Sequence, residues 1–168
     1  MARRQQEKSQ ETQQELLAAA LELFQERGFF GTTIADITKK AGYAKGSFYR
    51  HWQSKDDITL QLIEAKLASC RARRTEALAR AATLEQALEA IWDFLESIME
   101  DKSWARLFLE FTIHASCDEG LKASLAQSAF RLSDPVFAEL VAPWTRPGVS
   151  GEKLGALNTC LFEGFLIH

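Results

Sequence analysis

Leu16, Leu17, Ala20, Leu21 and Phe24 fall three and four positions apart, the spacing that gathers apolar side chains on one face of a helix. Thr12 followed by Glu15 predicts where that helix starts, because a threonine hydroxyl and a glutamate three residues later can satisfy each other's free amides. The glutamine-rich stretch before it, residues 1–11, reads as a flexible tail. Arg27 suits the negative end of the helix dipole, and Gly28 can take the left-handed conformation that ends the helix. A short second helix is predicted from a Thr33 cap, with Asp36 in its first turn, through Ile34 and Ile37 to Ala41. Gly42 permits a tight turn, and a third helix covers Lys45–Trp52. A fourth opens at Ser54, with Asp56 and Asp57 at its positive end, and extends toward Arg80.

Beyond Thr83 the predicted helices are longer and more apolar. Leu84, Leu88, Ile91, Leu95 and Ile98 make one stripe, and Trp104, Leu107, Phe108 and Phe111 make another. A segment near Leu121–Leu132 precedes a break at Ser133, Asp134 and Pro135, where the proline suits the first position of a new helix. Ala142–Gly151, rich in proline and glycine, reads as a loop before a last helix from about Glu152. The first 134 residues hold no proline, and no stretch sustains a period of two in β-branched residues. The pattern therefore predicts an all-α chain: a three-helix N-terminal domain at 1–55, and a helical C-terminal domain at 56–168.

Thr33 to Lys55 carries the strongest functional signal. A helix-turn-helix needs a turn tight enough to set two helices at a steep angle, which Gly42 supplies. Its second helix must be anchored from behind by apolar groups, and Phe48 and Trp52 stand four apart on one face. The opposite face must be small, polar and basic to enter a major groove, and Lys45, Gly46, Ser47 and Arg50 meet that need. Charge supports this placement. Net charge is −3, yet residues 1–55 carry +3 and residues 56–168 carry −6, so the basic excess sits where phosphates would be met. Three widely spaced cysteines, Cys70, Cys117 and Cys160, argue for a reducing cytoplasm rather than a disulfide framework. Nothing approaches the roughly 20 apolar residues of a membrane span. Three histidines, with no phosphate-binding glycine loop and no nucleophile elbow, speak against an enzyme.

Gly28 through Ile37, Ala41 through Trp52, and the pair Ser54 and Lys55 closely resemble the DNA-binding domain of the tetracycline-repressor (TetR) family. That resemblance covers about the first 60 residues. It implies base contacts from Lys45, Gly46, Ser47 and Arg50, and phosphate contacts from Thr32, Thr33, Tyr49, His51 and Lys55. It further implies a ligand-responsive regulator, a repressor that binds a palindromic double-stranded operator as a homodimer and is released by a small-molecule effector, without a cofactor. Thr38, Tyr43 and Ala44 depart from the family pattern, which favours alanine, a smaller aliphatic residue and a capping serine there.

The implied effector pocket draws on Trp92, Trp104, Phe108, Phe111 and His114, although an aromatic stripe at helical spacing is more often simply core. Leu157, Cys160, Leu161, Gly164 and Phe165 resemble the family's dimer-forming helix, whose small residues allow close approach. Relatives continue through another dimer helix, so by this resemblance either the chain is shorter than its relatives or it is truncated before that helix. Two alternatives stand beside this reading. One is a helical adaptor that binds protein; the other is a metal-sensing regulator using His114 and Cys117, a pair without clear partners.

Overall fold

The computed structural model describes residues 2–127, 137–139 and 141–167, and their side chains except at 2, 71, 98, 99, 125–127, 163 and 165–167. Helices α1 (Ala2–Arg27), α2 (Ile34–Lys40), α3 (Lys45–Phe48), α4 (Lys55–Arg80), α5 (Leu84–Met99), α6 (Lys102–Ser116), α7 (Glu119–Gln127) and α8 (Gly151–Ile167) run in order, and residues 137–139 are also helical. Among these residues there is no strand, and no helix is long and apolar enough to cross a membrane. The expected end of a segment at Leu132 and the break at Ser133, Asp134 and Pro135 lie outside the described residues. So do the side chains of Ile98 and Phe165.

The first four helices form as their caps and breakers dictate. Gly28 has φ +75° and its amide donates to Phe24 O, closing α1. Thr33 and Asp36 form a reciprocal capping box at the start of α2, and Ser54 and Asp57 form another at the start of α4. Hydrogen bonding from Thr33 holds the Asp36 carboxyl below its usual range, so the charge that favours this helix start persists in mild acid. Gly42, with φ +76°, turns the chain from α2 into α3.

Two expectations about helix ends are corrected. Helix α1 begins at Ala2, not Thr12: the Thr12 hydroxyl donates back to Lys8 O, and the Glu15 carboxylate accepts the Tyr43 hydroxyl. Arg, Gln, Glu and Lys dominate residues 3–11, all good helix formers, and Arg3 pairs with Glu7 one turn on. Helix α3 spans four residues instead of eight, because the amides of His51 and Trp52 both return to Phe48 O and tighten the last turn. A 3-10 turn at Ala142–Trp144 lies within the stretch expected to be loop.

The core is continuous from end to end. Leu16, Ala20, Phe24, Ile37, Phe48, Trp52 and Ile58 fill the space among α1–α4. Trp104, Leu107, Phe108 and Phe111 on α6 are all buried and extend that core into the C-terminal helices. The predicted α5 stripe is divided: Leu95 is buried and Ile91 half-buried, while Leu84 and Leu88 are exposed.

Candidate nucleic-acid interface

Helix α3 is seated from one side only. Phe48 is fully buried and its ring lies 5.3 Å from that of Trp52, whose Nε1 donates to Gln61 Oε1 on α4 at 2.8 Å. That bond satisfies the indole N–H in a partly buried position and fixes the end of the turn to the long helix. The Tyr43 amide donates to Thr38 O, bracing the glycine turn, and the Thr38 hydroxyl returns to Ile34 O and Ala35 O. Thr38 thereby satisfies its hydroxyl inside its own helix, despite standing where alanine is usual.

With Phe48 and Trp52 pinned inward, Lys45, Gly46, Tyr49 and Arg50 are exposed, and Ser47 and His51 are half-buried. Among the described residues, neither Lys45 nor Arg50 lies within ion-pair distance of an acid, whereas Lys40 beside them is held by Glu22 and Glu26. Lys45 Nζ sits 5.9 Å from the Tyr49 ring. A Cβ built on Gly46 would meet nothing within 4 Å, so nothing inside the chain demands a glycine there. The surface is low, cationic and donor-rich, the chemistry that suits guanine edges and phosphates.

The expected phosphate set divides. Tyr49 and Thr33 are exposed, although the Thr33 hydroxyl already serves its capping box. Thr32 is fully buried, and its hydroxyl donates to Leu23 O and Gly28 O. Lys55 is also engaged within the chain. Its ammonium turns inward, donating to Phe29 O at 2.7 Å and Thr32 O at 3.0 Å, with the Phe29 ring 3.9 Å away. Burial pulls the Lys55 pKa down, partly opposed by Asp56 and Glu110. Both side chains hold the loop between α1 and α2 in place.

Three of the expected pocket residues, Trp104, Phe108 and Phe111, are buried in the core. Trp104 and Phe108 stack 5.3 Å apart and meet Phe162 of α8, while Phe111 packs edge-on to Phe29. Periodicity cannot tell a packed ring from a ligand-facing one, and here three of the rings are packed. Trp92 is exposed on α5, and His114 lies at the junction described next. A cleft of about 340 Å³ opens between α4 and α5, with Arg73, Glu89, Asp93 and Phe94 among its walls. On α8, Leu157, Cys160 and Leu161 are exposed and Gly164 is half-buried, forming an apolar strip. No cluster of three metal-binding side chains occurs among the described residues.

One set of contacts was not foreseen. Arg106, Glu110 and His114 lie four apart on one face of α6 and meet the N-terminal helices. Glu110 accepts the Phe29 amide at 2.6 Å and Arg106 Nε at 2.7 Å, and Arg106 Nη2 reaches Arg27 O at 3.4 Å. His114 Nε2 lies 3.2 Å from Asp56 Oδ1 at the start of α4, with its ring 4.9 Å from that of Phe29. Burial alone would raise the Glu110 pKa, but Arg106 and the amides of Phe29 and Phe30 outweigh it and hold the carboxyl below its usual range. Polar residues at four-residue intervals on the side of α6 away from its aromatic stripe are the signal that could have located this junction.

Comparison with known proteins agrees with this picture. Residues 16–62 match the family model of bacterial regulatory proteins, tetR family. The HTH-type transcriptional regulator AcrR of Shigella flexneri is 29% identical over 133 residues, covering 78% of this chain and 61% of its own length. The chain therefore spans about three fifths of that relative. A solved structure from Syntrophomonas wolfei, described as a TetR-family transcriptional regulator, superposes with a TM-score of 0.72 at 19% identity, covering 94% of this chain and 82% of that one. FadR of Thermus thermophilus, a TetR-family repressor solved with lauroyl-CoA, superposes with a TM-score of 0.70 at 25% identity, covering 91% and 80%.

Proposed function

The chain belongs to the tetR family of bacterial regulatory proteins, and from that premise we propose that it is a ligand-responsive repressor that binds a near-palindromic operator as a homodimer. Two copies of α3 enter successive major grooves, with half-sites about 34 Å or a small multiple apart. Lys45, Gly46, Ser47 and Arg50 meet base edges, and Thr33, Tyr49 and His51 meet the backbone. The observation that carries this reading is the one-sided seating of α3, which leaves Lys45 and Arg50 exposed and away from acids. The exposed leucines of α8 support a pairing surface. A small molecule held among the C-terminal helices favours a conformation whose half-site spacing no longer fits DNA, so ligand and operator oppose each other reciprocally. The FadR complex with lauroyl-CoA supports a small-molecule effector in a neighbour of this fold.

Selection from a random duplex pool tests the proposal. Convergence on two inverted half-sites is expected. No enrichment, even at low salt where phosphate attraction is strongest, would overturn it.

A further inference from the structure

The N-terminal helices are attached to the C-terminal helices twice. Helix α4 is a continuous covalent rod, and its first residues belong to the head while its later turns pack against α5. One rod alone leaves the head free to swing about its end. The second attachment is the α6 face, which meets the head on both sides of that end. Glu110 takes the Phe29 amide in the loop after α1, and His114 faces Asp56 in the first turn of α4.

The chain is shaped for this second attachment. Gly28 has the positive φ that ends α1, and a Cβ there would collide with both carboxylate oxygens of Glu110. The positive φ demands glycine at this position, and a side chain there would also push the ends of Glu110 and Arg106 aside. Lys55 secures the same loop from the other side through Phe29 O and Thr32 O. The loop is therefore held by a carboxylate on its amide side and an ammonium on its carbonyl side, each from a different helix.

Resting on the DNA-binding reading above, we propose that Glu110 and His114 are determinants of operator spacing. They fix the angle of each head to the paired bodies, and so set which separation of half-sites the dimer accepts. They touch no DNA. Without them each head still reads its half-site, but the pair tolerates separations that the intact protein rejects. Adding one base pair moves a half-site by about 3.4 Å and turns it by about 35°, so spacing is a sensitive readout of head angle.

The test compares wild type, Glu110→Ala and His114→Ala on the selected duplex, on versions with one or two base pairs inserted between half-sites, and on a single half-site. Thermal melts establish that each variant is folded, and His114→Ala carries the test where Glu110→Ala does not fold. Wild type is expected to lose about tenfold or more in affinity on a two-base-pair insertion. The variants should lose several-fold less, with affinity for the single half-site unchanged. Folded variants that discriminate spacing as wild type does, or that weaken on the single half-site to the same degree, overturn the proposal. Failure to enrich any duplex sinks the DNA-binding reading and this inference with it.

Discussion

The head, α1–α3 with the first turns of α4, and the body, the rest of α4 with α5–α8, handle their apolar residues differently. In the head, Leu16, Phe24, Ile37, Phe48 and Trp52 are all buried, and what remains outside around α3 is polar or cationic. In the body, α6 is buried along its whole stripe, yet Leu84, Leu88 and Trp92 on α5 and Leu157 and Leu161 on α8 remain 45–58% exposed. The head covers these residues within one chain, although Phe30 in the loop after α1 is 62% exposed. The body presents apolar surface of the kind that marks an interface. On the proposed reading, the module that presents a polar face to DNA largely completes its own core, whereas the pairing module leaves part of its core to be completed by another copy.

That contrast can be broken at either end. The largest effect is expected from Phe48→Ala, which removes a fully buried ring under α3 and should cost about 3–5 kcal/mol of stability in a denaturant melt. Leu157→Glu or Leu161→Glu should leave secondary structure intact but shift sedimentation toward monomer. Each removes about 1.5–3 kcal/mol of apolar burial per copy from the proposed pairing surface. An unchanged assembly state would mean that α8 does not pair. Lys45→Ala and Arg50→Ala should each cost about 1–3 kcal/mol in DNA affinity and relax preference locally, with no change in melting. Thr33→Ala should cost about 1 kcal/mol of stability through the lost cap.

The smallest effect is on pH dependence. Asp101 is raised by burial, but Lys66, the Trp104 amide and Ser103 outweigh that and lower its pKa overall, as Arg106 and the loop amides do for Glu110. A carboxyl whose pKa is lower folded than unfolded stabilises the fold above its unfolded value and loses that contribution as pH falls through the folded one. The contributions of both groups should therefore be constant from neutral pH down to their ordinary values, 3.8 and 4.5, and decline below them. Melts of Asp101→Asn and Glu110→Gln against wild type should converge with it in strong acid.

Much of the head was legible because its signals are local. A capping box, a left-handed glycine and an i,i+4 aromatic pair depend on neighbours within a few residues, and Thr33, Gly42, Phe48 and Trp52 take the places expected of them. Thr12 shows the limit of such signals, since the same capping pattern lies inside a longer helix. Lys55 shows another. A lysine at a helix start reads as a phosphate ligand until the fold brings two carbonyls and a phenyl ring to it from 23–26 residues away. In the body the aromatic spacing located α6 correctly but could not separate Trp104 and Phe108, packed on Phe162, from ligand-facing rings. That distinction depends on a helix more than fifty residues later in the chain.

A crystal structure of the protein on its selected duplex tests the central claim most directly. Lys45, Ser47 and Arg50 of each copy should lie in the major groove within hydrogen-bond distance of base edges, with Phe48 and Trp52 still turned into the head. Finding that face in solvent, or covered by another protein surface while a different part of the chain holds the duplex, would contradict the account.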